Sequence, residues 1–350
     1  MASRGRVDHD DEGGAALVNG HAPARQDSGG SPAASAWVRP TPRSEVPHGT
    51  TFLTPPPSGE RALPFEEQVA RARAALPEGF PTDLSEVLVA VDVDGTLITA
   101  AGASARVRSA YHDLLDAGGH VVVSTGRGRW AARPVLGDLG ERRGFSACSN
   151  GALLVEWDLE APEGGRILRS HVFSPRRAIM MVQRVVPEAL FGVEVPEGYL
   201  VNALFPEGEL LEHHRVVPVE ELWARPTTKL VVRVPGMDTG RFEQLLGQSG
   251  LGGDHEVFVG WTSWADVCAK GCTKASALEE LCGILGVPHG GTVALGDGSN
   301  DVDMITWARV GVAMGGAAQW IKDRADLVTG AVENDGSAAV MRAILEHSRA

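Results

Sequence analysis

Cysteine is scarce in this 350-residue chain and positive charge is outnumbered, and each shortage narrows what the protein can be. The four cysteines, Cys148, Cys268, Cys272 and Cys282, lack the paired C-x-x-C spacing of a structural zinc site and are too few for a disulfide framework. They read as reduced, mostly buried thiols. With a formal charge of -13 the chain has no net positive field to attract nucleic-acid backbones or an anionic membrane. Any phosphate it binds must therefore be captured by local geometry. No apolar run approaches the roughly 18 residues needed to span a bilayer, the start MASRGRVDHDDEGG has no signal-peptide apolar core, and no internal repeat is evident. The expected location is cytoplasmic, with no nucleic-acid or membrane partner.

What is present falls into two regimes. Residues 1 to 60 are crowded with Gly, Pro, Ser, Ala and His without a sustained apolar period, and are expected to be a disordered tail that cannot offset its ordering entropy. Residues 61 to 85 form a linker or a short helix at PFEEQVARARAAL, with Pro64 in its first turn. From residue 86 short β-branched runs, VLVAV, HVVVS, TVALG and VGVAM, alternate with helical stretches such as SARVRSAYHDLLDAG and TKASALEELCGILG. That rhythm predicts an α/β fold, a doubly wound, Rossmann-like parallel sheet. It is interrupted from 152 to 268 by paired strand patterns, which predict an inserted α+β cap with an antiparallel sheet; the core is then 86 to 151 and 269 to 350.

The most apolar strand, VLVAV, runs straight into Asp92 and Asp94. Two carboxylates at the mouth of a buried strand are costly unless a cation or a shared proton offsets them. Ligands of a doubly wound sheet collect outside the carboxyl ends of the strands. Ser124 and Thr125 end HVVVSTGR there, and Asp297, Asn300 and Asp301 follow TVAL in GDGSND, while Lys274 opens a helix. Carboxylates, a hydroxyl, an ammonium and glycine-freed amides in one crevice suit a metal and a phosphate together.

These stretches, in order, resemble the four motifs of the haloacid dehalogenase superfamily: DxDGT at Asp92 to Thr96, Thr125 in STGR, Lys274 in KASAL, and GDGSND from Gly296 to Asp301. The chain advances 33 positions from Asp92 to Thr125 and 149 from Thr125 to Lys274, so a large cap fits only in the second interval. That spacing, with CSNGA at 148 to 152, resembles the Cof-like, type IIB branch, although Gly316 stands where the branch commonly has Asn. The resemblance implies a Mg2+-dependent phosphatase acting on a small phosphorylated metabolite such as a sugar phosphate. Asp92 would be the nucleophile and Asp94 the acid and base. Magnesium would be held by Asp92, the Asp94 carbonyl and Asp297; Thr125, Gly126, Lys274 and Asn300 would hold the phosphoryl oxygens. Asp301 would stand behind them, orienting Lys274 or a metal-bound water. The same motifs admit a phosphohexomutase or a non-hydrolytic phosphometabolite sensor.

Blander readings compete at several positions. Lys270 rivals Lys274, but only Lys274 opens a helix pattern. Arg127 and Arg129 are expected at the surface, and Asp303 on an exposed helix face. Trp157, Trp223, Trp261 and Trp264 are expected to pack in the cap core or hinge, and His213 and His214 to lie in a solvated loop.

Overall fold

In a computed structural model the described residues are 37–38, 58–59 and 61–350, except 162, 163, 211 and 261. The expected disordered tail, and Trp261, therefore lie outside the described residues apart from those four positions. Val38 exchanges backbone hydrogen bonds with His214.

Among the described residues fourteen strands form two sheets. The larger uses β1 (Leu88–Val91), β2 (His120–Ser124), β3 (Arg143–Cys148), β4 (Leu153–Asp158) and β5 (Gly165–Ser170), then β12 (Thr292–Gly296), β13 (Val310–Ala313) and β14 (Leu327–Val328). Their order is β14-β13-β12-β1-β2-β3-β4-β5, with β14 to β3 parallel and β4 and β5 antiparallel. The smaller uses β6 (Leu190–Val195), β7 (Gly198–Val201), β8 (His214–Val216), β9 (Leu230–Arg233), β10 (His255–Val259) and β11 (Trp264–Ala269), in the order β10-β11-β9-β6-β7-β8.

Why β1 is apolar throughout follows from its neighbours. Successive side chains point to opposite faces. Val89 and Val91 pack with Tyr111 and Leu114 of helix Ala105–Asp116 and Met341 and Ile344 of helix Gly336–His347. Leu88 and Ala90 pack with Leu278 and Leu281 of helix Lys274–Leu285. Both faces are dry, as a doubly wound sheet requires. Helix Phe65–Ala74 also joins this core through Val69 and Ala72.

The expected start of the insertion at residue 152 is corrected by the sheet order. β4 and β5 extend the large sheet, because β4 covers the open edge of β3 along its whole length. Leu153, Val155 and Trp157 join the layer of Val121 and Val123, whereas Leu154 joins the opposite layer. A strand apolar on both faces belongs inside a covered sheet.

In the smaller sheet one face is apolar and the other is not. Leu230, Val232, Ala265, Val267, Phe191 and Val193 pack under helices Arg176–Gln183 and Thr239–Ser249. Alternation then places Lys229, Asp266 and Glu194 on the opposite face. Among the described residues no helix is long and apolar enough to cross a membrane.

Candidate active site

The ends of three adjacent parallel strands assemble the site. Val91 lies opposite both Leu295 and Val123, so Asp92, Asp297 and Thr125 emerge side by side. The Asp92 N–H donates to the Leu295 carbonyl at 3.0 Å, which holds β1 to β12 at the crevice.

Lys274 links the acidic groups. Thr273 and Ser276 cap its helix reciprocally, and the lysine side chain is fully buried. Its Nζ donates to Asp92 Oδ1 and to Asp301 Oδ1, each at 2.6 Å. Asp301 Oδ2 accepts the N–H groups of Asp297 and Gly298 at 2.9 and 2.8 Å. Asp297 Oδ1 accepts the Thr96 hydroxyl at 2.9 Å. Gly95, at φ +85°, passes so close to the Asp297 carboxylate that no β-carbon fits between them.

Carboxylate oxygens of Asp92, Asp297 and Asp301 lie within 4.8 Å of one another. Burial, reinforced by Asp301 and only partly opposed by Lys274, pushes Asp92 up to about 7. Burial and the charges of Asp92 and Asp301 hold Asp297 well above the carboxylate range. Lys274 titrates above its usual value, since Asp301 and Asp92 outweigh the cost of burying its charge. One ammonium does not balance three carboxylates, and a hard divalent cation fits the oxygen-only donor set. Asp301 has both oxygens engaged, whereas among the described residues Asp92 Oδ2 and Asp297 Oδ2 have no protein donor. Asp92 and Asp297 are therefore the better-placed ligands.

Asp94 is held by a residue that sequence reasoning set aside. Arg127 Nε and Nη2 donate to its two oxygens at 2.7 and 2.5 Å. The guanidinium side chain is 9% exposed, not on the surface. It follows Gly126 in the loop that leaves β2, two residues before helix Arg129–Leu139 begins, so it turns into the crevice. Arg129 reaches the Gly165 carbonyl. Thr125 is buried, and its hydroxyl accepts the Arg127 N–H at 3.1 Å. Lys270 is exposed and pairs with Glu256, while Asp303 is exposed in the first turn of helix Val302–Trp307.

The smaller sheet closes the cavity. Lys229 Nζ donates to the Gly126 carbonyl at 2.6 Å and lies 3.6 Å from Asp266. Asp266 accepts from Asn150 at 2.8 Å and from the Trp264 indole at 3.0 Å, and Asn150 in turn accepts from Asn300 at 2.8 Å. A chain of polar contacts thus runs from Asn300 to the smaller sheet. The cavity of about 600 Å3 is lined by Asp92, Asp94, Thr125, Gly126, Asp297 and Asn300 from the large sheet, and by Tyr199, Glu212, Lys229 and Trp264 from the smaller one. Trp157 and Trp223 do pack internally, but Trp264 faces the cavity. His214 belongs to β8, not to a loop, because its backbone pairs with Tyr199.

Lys229, Glu212 and Asp266 were not singled out from the sequence. A signal existed for Lys229: in KLVVR, charged residues bracket an otherwise apolar strand.

The family model of haloacid dehalogenase-like hydrolases matches residues 89–188 and 209–341. The putative phosphatase YkrA of Bacillus subtilis is 26% identical over 275 residues, covering 73% of this chain and 96% of that protein. The 5-amino-6-(5-phospho-D-ribitylamino)uracil phosphatase YcsE of the same organism is 26% identical over 261 residues, covering 74% and 96%. Among solved structures, the HAD subclass IIB sugar phosphatase BT4131 aligns with a TM-score of 0.62 at 22% identity, over 73% of this chain and 98% of that one.

Proposed function

Because the chain belongs to the haloacid dehalogenase-like hydrolases, we propose that it is a magnesium-dependent phosphatase that hydrolyses a small phosphorylated metabolite, such as a sugar phosphate, through an aspartyl-phosphate at Asp92. The observation that carries this reading is the Lys274 ammonium, which binds Asp92 Oδ1 and leaves the other oxygen without a protein donor at a cavity that Asp92 lines. The relatives named as phosphatases support the reaction class.

In the first displacement a carboxylate oxygen of Asp92 forms a bond to phosphorus as the ester oxygen leaves, and Asp94 gives the departing ester oxygen its proton. In the second, Asp94 takes a proton from water, whose oxygen bonds phosphorus while the Asp92 oxygen departs. Thr125, the Gly126 N–H, Asn300 and Lys274 hold the phosphoryl oxygens, stabilising charge in both transition states. Asp94 accepts from Arg127 on both oxygens here. To carry a proton it must turn from that partner, so Arg127 sets where the acid rests between steps. Asp92, Asp297 and the Asp94 carbonyl would hold magnesium, which supplies positive charge beside the phosphoryl group. The cap formed by the smaller sheet excludes bulk water.

The direct test is release of inorganic phosphate from a panel of phosphomonoesters with magnesium, suppressed by a chelator. Conversion of a hexose 1-phosphate to the 6-phosphate without phosphate release would indicate a mutase instead. A second expectation concerns metal affinity. Burial raises Asp92 to about 7 and also raises Asp297, and a cation must displace the protons these carboxyls hold. The magnesium concentration for half-maximal activity should fall by about tenfold per pH unit for each proton displaced, between about pH 6 and 7. A requirement independent of pH across that interval would contradict the assignment of these ligands.

A further inference from the structure

Among the described residues, each buried carboxylate around the cap side of the cavity accepts a hydrogen bond from another residue, with one exception. Glu194 Oε2 accepts from Ser149 and Thr228, Glu209 is paired with Arg233, Asp266 is bound by Asn150 and Trp264, and Asp94 is held by Arg127. Glu212 is only 7% exposed and lines the cavity, yet among the described residues its carboxylate accepts no hydrogen bond from another residue, and the charges of Lys229 and Arg127 act on it only from beyond ion-pair distance. A buried carboxylate short of donors is a standing cost to the fold. The chain makes room for it nonetheless: a β-carbon at Gly128 would lie 2.7 Å from Glu212 Oε1 and 2.5 Å from Glu194 Oε1.

We propose that Glu212 receives the leaving group, selecting phosphomonoesters whose alcohol carries a hydroxyl or amino donor and rejecting those with a second anionic group. The inference rests on the phosphatase reading and names the substrate class of that same site. The two cations on this side make their hydrogen bonds elsewhere, Arg127 to Asp94 and Lys229 to the Gly126 carbonyl, and reach Glu212 only through their charge. What remains for the leaving group is an acceptor, Glu212, in a cavity that Tyr199, Leu210 and Trp264 also line. A hydroxyl or ammonium there supplies the donor that the carboxylate lacks. A carboxylate or second phosphate would face Glu212, and the exposed Glu243, while Arg127 and Lys229 stay hydrogen-bonded to Asp94 and the Gly126 carbonyl.

The experiment compares wild type, Glu212→Gln and Glu212→Ala on glucose 6-phosphate and glycerol 3-phosphate, which offer hydroxyls, on phosphoglycolate, which carries a second anion, and on p-nitrophenyl phosphate, which has neither. Wild type should prefer at least one hydroxyl ester over phosphoglycolate. In both variants kcat/KM for that ester, relative to p-nitrophenyl phosphate, should fall by about tenfold or more, mainly through KM. The preference over phosphoglycolate should shrink by a similar factor. Melting temperatures separate these effects from misfolding, and the near-isosteric glutamine keeps the site filled. Equal changes on all four esters, or an unaltered ratio of hydroxyl ester to phosphoglycolate, would overturn the role of Glu212 while leaving the phosphatase reading intact. Failure of wild type to release phosphate from any of the four would overturn both.

Discussion

Replacing Asp92 with asparagine should reduce phosphate release by more than about a thousandfold while leaving the fold in place. The size of the loss follows from removing the group that bonds phosphorus, for which no neighbour substitutes. Asp301 has both oxygens engaged, and Asp94 is held by Arg127. Stability should move the other way. The amide side chain keeps an oxygen for the Lys274 ammonium but drops a buried charge that both Asp301 and Asp94 oppose. The metal-free Asp92→Asn protein should therefore melt no lower than wild type. Phosphate release and thermal melting of the same preparation check both halves. An active Asp92→Asn variant would remove the nucleophile from the account.

Lys274→Met should lower kcat by about a hundredfold to a thousandfold, the loss typical of one charge-stabilising group. It should also damage the fold, since Asp92, Asp297 and Asp301 would crowd within 4.8 Å with no cation. Breaking a buried ion pair by removing one partner costs about 3 to 5 kcal/mol. Two conditions should restore stability. Magnesium should raise the melting temperature of Lys274→Met more than that of wild type. Acid should stabilise the variant relative to wild type, because carboxyls raised in the folded state bind protons that the unfolded chain does not; the gain is present at low pH and lost as pH rises through the folded values. A variant whose melting responds to metal and pH as wild type does would show that Lys274 does not balance this cluster.

The part of the fold legible in the sequence is the part set by local pattern. β1, β2, β12 and β13 are short β-branched runs, and their carboxyl ends carry Asp92, Thr125 and Asp297 because that is where a parallel sheet opens. The expected parallel core and second, antiparallel-rich sheet are both present. Less legible was where one sheet ends. β4 and β5 form a hairpin pattern that either sheet could have taken, and the choice is made by the open edge of β3. Arg127 was misjudged because proximity to a helix start says little about direction; the loop from β2 turns it inward toward Asp94. Glu212, Lys229 and Asp266 face the motifs only after the chain has folded, separated from Asp92 by more than a hundred positions. No local period encodes such a meeting, although alternation along β9 marks the face on which Lys229 stands.

The central claim is that phosphorus is bonded to Asp92 during turnover. Acid quenching of the enzyme mixed with magnesium and a hydrolysed phosphomonoester, followed by borohydride reduction and peptide mass spectrometry, tests it most directly, because reduction converts an aspartyl-phosphate to homoserine. The account predicts homoserine at position 92 and at no other aspartate, absent when substrate is omitted. An unmodified Asp92, together with inversion at a chiral phosphorus, would mean that water displaces the alcohol directly and would contradict it.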